Sequence, residues 1–189
     1  MRLFRVALAL VALGTLSCSR ASSHDERPAC PELDAGRPVD PALLAFLSRA
    51  RSAHHVADGL EEQKQLDRAV AVLEELLKGP LPGGQPTEVR EVLSDTRARI
   101  ADLESQRGRF EEAERHLQQG LDLARETTYF RGHLYEVRGL VEERRSKELS
   151  AKGDKGAAET AKQRALGAFE ESMKIQEQVI KNTVPGDKP

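Results

Sequence analysis

Residues 104–124, Glu104-Ser-Gln-Arg-Gly-Arg-Phe-Glu-Glu-Ala-Glu-Arg-His-Leu-Gln-Gln-Gly-Leu-Asp-Leu-Ala124, decide the fold. Gly108 ends one helical run and permits a tight reversal into the next. Beyond it Phe110, Ala113, Leu117, Leu121 and Ala124 recur at three- and four-residue steps, the period of a helix with one buried side. Ala113 and Gly120 are small where a neighbouring helix would approach closely. Phe110 and Leu117 are large enough to fill the space beside them.

The same order occurs upstream. Lys64-Gln-Leu-Asp-Arg-Ala69 aligns with Gly108–Ala113, Leu73 with Leu117, and Leu76 with Gly120. A third copy aligns Ala165, Phe169 and Ser172 with Ala113, Leu117 and Gly120. In this alignment Ala69 lies 44 residues before Ala113, and Ala165 lies 52 after it.

Working outward, apolar spacing predicts six helices and no strand between residues 41 and 182. The first runs over 41–62: Asp40 can cap it, Pro41 suits its first position, and Leu44, Leu47, Ala50 and Ala57 point inward. The second, 66–78, turns Leu66, Ala69, Leu73 and Leu77 inward, and the Gly- and Pro-rich stretch 79–86 must be a loop. Thr87 is the expected cap of the third, with Val89, Leu93, Ile100 and Leu103 inward. The fifth, 128–151, buries Phe130, Leu134, Val137 and Val141; a turn at 152–156 precedes the sixth, 157–182, with Leu166, Phe169, Met173 and Ile180 inward.

The pairs resemble the tetratricopeptide repeat, on Ala69, Leu73, Gly108, Phe110, Ala113, Leu117, Gly120, Ala165 and Phe169, over about residues 44–180. That family's period is about 34 residues, so the chain departs from it through the loop at 79–86, its long first helices and the region 152–160. The resemblance implies an all-α fold of antiparallel helix pairs stacked as a short solenoid. It also implies a concave groove lined by the first helix of each pair, which binds a peptide or helix of a protein partner. Carried over by register, Asp95, Ala98, Asp102 and Ser105 face that groove, as do His133, Glu136 and Glu143 of the next pair. Acidic positions there favour a basic or amide-rich segment. The rival arrangement is a structural helical bundle or coiled-coil spacer with heptads paired across chains.

The chain's start has the order of an export signal. Arg2 and Arg5 precede an apolar run, Val6–Leu13, then small residues and Cys18. Thr15-Leu-Ser-Cys18 resembles a bacterial lipobox, with Thr15 where that motif usually carries Leu. The resemblance implies a signal peptide over 1–17, lipidation of Cys18 and membrane attachment through the acyl chains. Ser19 after the Cys leans toward an outer-membrane lipoprotein facing the periplasm. Cleavage after Ala21 would discard Cys18 and leave a periplasmic or secreted protein. The polar, Pro-broken stretch 18–40 is expected to be a disordered tether spanning about 25 Å, and 183–189 a disordered tail. Cys30 is left as a free or intermolecularly paired thiol.

Charge and composition argue against several activities. Removing residues 1–17 takes away two Arg and no acid, leaving 27 basic against 31 acidic residues, net −4. With no basic excess and 4% aromatic residues, nucleic acid is not an expected partner. The five histidines, His24, His54, His55, His116 and His133, have no metal-ligand spacing, and the four beyond the tether are expected on helix surfaces. Pairs such as Glu111-Glu112 and Glu142-Glu143 alternate with Arg and Lys in the pattern of solvated helix faces. No phosphate loop or nucleophile–His set can be read. A non-enzymatic chain without metal or cofactor is the expectation.

Overall fold

The structure, a computed structural model, describes residues 40–183. The expected signal peptide, Cys18, the tether up to residue 39, Cys30 within it, and residues 184–189 lie outside the described residues. Six helices form one unit: α1 Pro41–Glu62, α2 Leu66–Lys78, α3 Thr87–Gln106, α4 Phe110–Leu123, α5 Tyr129–Ala151 and α6 Lys155–Thr183. No strand occurs among the described residues.

Local chemistry sets the starts. Asp40 Oδ1 accepts from the Ala42 N–H at 2.9 Å, and Pro41 takes the first helical position. Thr128 caps α5. Asp154 Oδ1 accepts from the Ala157 N–H at 3.0 Å, which starts α6 two residues ahead of the expected 157. Thr87 is not a cap. It is the first residue of α3, its hydroxyl is taken by Arg90 at 3.2 Å, and Pro86 stands at the cap position.

Each pair is joined by the same turn. Lys64, Gly108 and Gly153 adopt positive φ of 62°, 74° and 87°. In each case the amide after this residue reaches back to the carbonyl five residues earlier: Gln65 to Leu60, Arg109 to Glu104, Asp154 to Leu149. Counted from these turns the repeat spacings are 44 and 45 residues. Ala158 therefore holds the place of Ala69 and Ala113, and Ala165 the place of Gly120; the sequence alignment had put Ala165 opposite Ala113.

That register explains α6. Its inner face is Ala158, Ala161, Ala165, Ala168 and Ser172, all buried. Small side chains bring it close to α5, where a Cβ on Gly139 would stand 2.5 Å from the Phe169 ring. Leu166, Met173 and Ile180, expected inside, are exposed because alanine occupies the contact. In α1, Leu44 is likewise exposed and Phe46 is buried. Most other inward positions, including Leu73, Val89, Ile100, Leu103, Leu117, Leu134 and Val141, are buried.

The pairs stack in order. The first helices α1, α3 and α5 touch in sequence; α2 packs on α3 and α4 on α5; no second helix touches another. α1, α3 and α5 therefore share one face of the stack. The architecture is an all-α, tetratricopeptide-like solenoid.

His116, expected on a surface, is buried on α4. Burial, aided by the Arg97 and Arg115 cations, lowers its pKa to about 4 from 6.5. Arg97 Nη1 lies 3.4 Å from Nδ1, an arrangement that needs the neutral ring. As pH falls from 6.5 toward 4, the unfolded chain takes up a proton that the fold refuses, and stability is lost. In denaturant melts the stability of the natural chain relative to His116→Gln is therefore expected to drop by up to about 3 kcal/mol between pH 7 and pH 4. A difference that does not change with pH contradicts this.

Candidate functional site

The face shared by α1, α3 and α5 is assembled from polar residues. Arg99 of α3 reaches back to Asp58, at 2.9 Å, and to Glu61 of α1. Arg144 of α5 reaches back to Asp102 Oδ1 at 2.6 Å and Ser105 Oγ at 2.7 Å on α3. The two contacts share one register. Arg99 and Arg144 each stand nine residues before the turn residue of their pair; Asp58 and Asp102 stand six before, and Glu61 and Ser105 three before. Each pair thus clasps the one before it. Asp102 is the junction, since it also accepts from Gln106 at 3.0 Å and lies 3.5 Å from Arg99.

Two histidines bridge the same helices. His54 of α1 lies 3.0 Å from Thr96 Oγ1 on α3. The Thr96 hydroxyl donates to the Val92 carbonyl at 2.7 Å, so the His54 Nε2–H is the donor to Thr96. Burial, opposed by Asp95 and Asp58, pushes the His54 pKa down. His133 of α5 lies 3.7 Å from Asp95 of α3 and 3.2 Å from Glu136 one turn on, and its ring stacks on Tyr129.

The positions expected to face a partner separate into groups. Ala98 has no exposed surface and belongs to the core shared with Val137 and Val141. Ser105 is buried and Asp102 mostly so, and both are engaged by Arg144. These three hold α3 to α5 and leave little for an incoming chain. Asp95 and His133 are half-exposed, and Glu136 and Glu143 are exposed. Glu143 is paired with Lys147 at 2.7 Å, which holds its carboxyl below the usual range. Sequence reasoning missed Arg99, Arg144, Asp58, Glu61 and His54. For Arg99, Arg144, Asp58 and Glu61 equal offsets from the turns were the available signal, hidden because the third copy was aligned seven residues too late; His54 has no such counterpart, since Ala98 and Glu143 hold its offset.

Among the described residues no group of three or more His, Cys, Asp or Glu could hold a metal ion, and no helix is long and apolar enough to cross a membrane. What this face can do is hydrogen-bond and pair charges with a chain laid across it.

Asp102→Asn keeps the shape and removes the charge that receives Arg144. It is expected to destabilise the fold by about 1–3 kcal/mol in urea titrations. Combining it with Arg144→Met is expected to cost clearly less than the two single effects together. Strict additivity would show that the clasp does not couple α3 to α5.

No curated protein and no solved structure matches the chain. Residues 93–128, which hold most of α3, all of α4 and the turn between them, match the family model of the tetratricopeptide repeat.

Proposed function

We propose that this chain is a non-enzymatic scaffold or adaptor that holds a segment of another protein against the face of α1, α3 and α5. The observation that carries the reading is the stack itself. A helix pair with the same turn is repeated three times in one register, its central copy matches the tetratricopeptide model, and the first helices line one continuous polar surface. Asp95 and Glu136 give that surface accessible acids, while Glu143 is held by Lys147, and Arg99 and Arg144 are already neutralised by Asp58, Glu61 and Asp102. A basic or amide-rich segment is the complementary partner. A coiled-coil spacer is less well supported, because the apolar residues of α1 to α5 are mostly spent inside the chain.

The site of action in this reading is the bacterial cell envelope. Support comes from Arg2 and Arg5, the apolar run Val6–Leu13 and the lipobox-like Thr15–Cys18, an order that fits export and acylation of Cys18. Attachment to the outer membrane, facing the periplasm, follows from Ser19 in the next position.

Photocrosslinking side chains placed at Asp95 and Glu136 in living cells are expected to trap a discrete protein partner, whereas one at exposed Arg115 on α4 traps none. Equal labelling from all three positions, or none from the first two, would count against the scaffold. The mass of the mature chain is expected to show Cys18 as its first residue, carrying fatty acyl groups. A chain beginning after Ala21, or one that keeps residues 1–17, overturns the anchor.

A further inference from the structure

The second helix of each pair uses the same two positions to receive the next pair. On α2 these are Val70 and Leu77, and Val70 packs with Ile100 and Leu103 of α3. On α4 they are Glu114 and Leu121: Glu114 pairs with Arg138 of α5 at 2.6 Å, and Leu121 lies in the cluster that holds Leu134, Val137 and Val141. Counted from Gly153, the same positions on α6 are Glu159 and Leu166. Both are exposed, Leu166 by 48% where Leu121 is 7%.

The stripe continues past these two. Met173 and Ile180 follow Leu166 at steps of seven residues, at 64% and 61% exposure. They fall within one narrow sector of the helix, about 40° wide. Arg164, Gly167 and Ala168 line the cleft toward α4, so the stripe looks away from the rest of the stack. Beside it, exposed Glu159 and Glu170 supply acidic positions, while Glu177 is paired with Lys181 at 2.7 Å and exposed Lys162 stands four residues before Leu166.

We propose that this outer face of α6 is a docking surface, separate from the face of α1, α3 and α5, for an amphipathic helix of another protein. That helix carries apolar side chains about seven residues apart with Lys or Arg beside them. The junction of α4 with α5 is the internal precedent, since α5 brings Arg138 to Glu114 and Arg145 to Glu111 alongside its apolar contacts. A further copy of this chain fits poorly in either sense. Stacked head to tail, it would bring His55 to the clasp position occupied by Arg99 and Arg144, opposite Lys147 where the earlier pairs carry Asp58 and Asp102. Paired side by side about Met173 in antiparallel sense, it would set Glu170 against Glu177 of the second copy.

The test uses the full chain and a labelled synthetic helix with Leu at every seventh position and flanking Lys, beside a twin with Glu for Lys. By fluorescence anisotropy the Lys peptide is expected to bind at least about tenfold tighter than the Glu peptide. Leu166→Glu with Met173→Glu is expected to weaken it about tenfold or more while the circular-dichroism melt stays in place, because both side chains are exposed. Glu136→Lys on the other face is expected to leave it unchanged, which separates failure here from failure of the groove. Absence of binding, equal binding of the two peptides, or binding undiminished in the double variant overturns the proposal. So does sedimentation showing a dimer of the natural chain that Met173→Glu dissolves, since the face would then belong to a second copy.

Discussion

The structure depends on stopping each first helix at one residue with left-handed backbone. Lys64, Gly108 and Gly153 all take positive φ, and in each turn the following amide closes onto the carbonyl five residues back. This reverses the chain within three residues, so the second helix lies against the first from its opening turn. Glycine bears this conformation without strain; Lys64 accepts a cost of about 1–2 kcal/mol, which the packing of α1 on α2 must offset. Because the turn is the same each time, it also fixes which residues of successive pairs meet.

Two layers of contact follow. On the face of α1, α3 and α5, Arg99 and Arg144 reach from one pair to acids and a hydroxyl of the pair before. Glu61 and Asp102 are mostly withdrawn from water while Asp58 is half-exposed, so these pairs reward correct register more than they add net stability. On the outer side, small residues set how close helices come. A Cβ on Gly120 would stand 2.5 Å from Leu134, and the alanine face of α6 brings Phe169 onto Gly139. The first layer makes the surface available for binding; the second spaces the rods beneath it.

The face of α1, α3 and α5 and the outer face of α6 differ in kind. The first is polar, internally paired through Arg99 and Arg144, and exposes acids, a character that suits hydrogen bonds and charge. The α6 stripe is apolar with Glu159 and Glu170 beside it, which suits a helix that must bury its own apolar side. A single short chain with two such surfaces could bring two proteins together, which is the physical content of a scaffold.

The sequence alone determined the helices, their order and most of the core. Three- and four-residue apolar spacing, Asp40-Pro41 and the Gly- and Pro-rich loop at 79–86 act over a few residues and can be seen without neighbours. The bounds of α1 and α2 and the central pair of residues 104–124 were legible for that reason. Only tertiary structure decided the register of the third pair, the burial of Ala98 and Ser105, the burial of His116 and the exposure of Leu166, Met173 and Ile180. An alanine face can be an inner face when the opposite helix supplies glycine, and a leucine stripe can be an outer one. Hydrophobicity ranks these the other way, and the distance between two helices is a property of the pair that neither segment carries by itself.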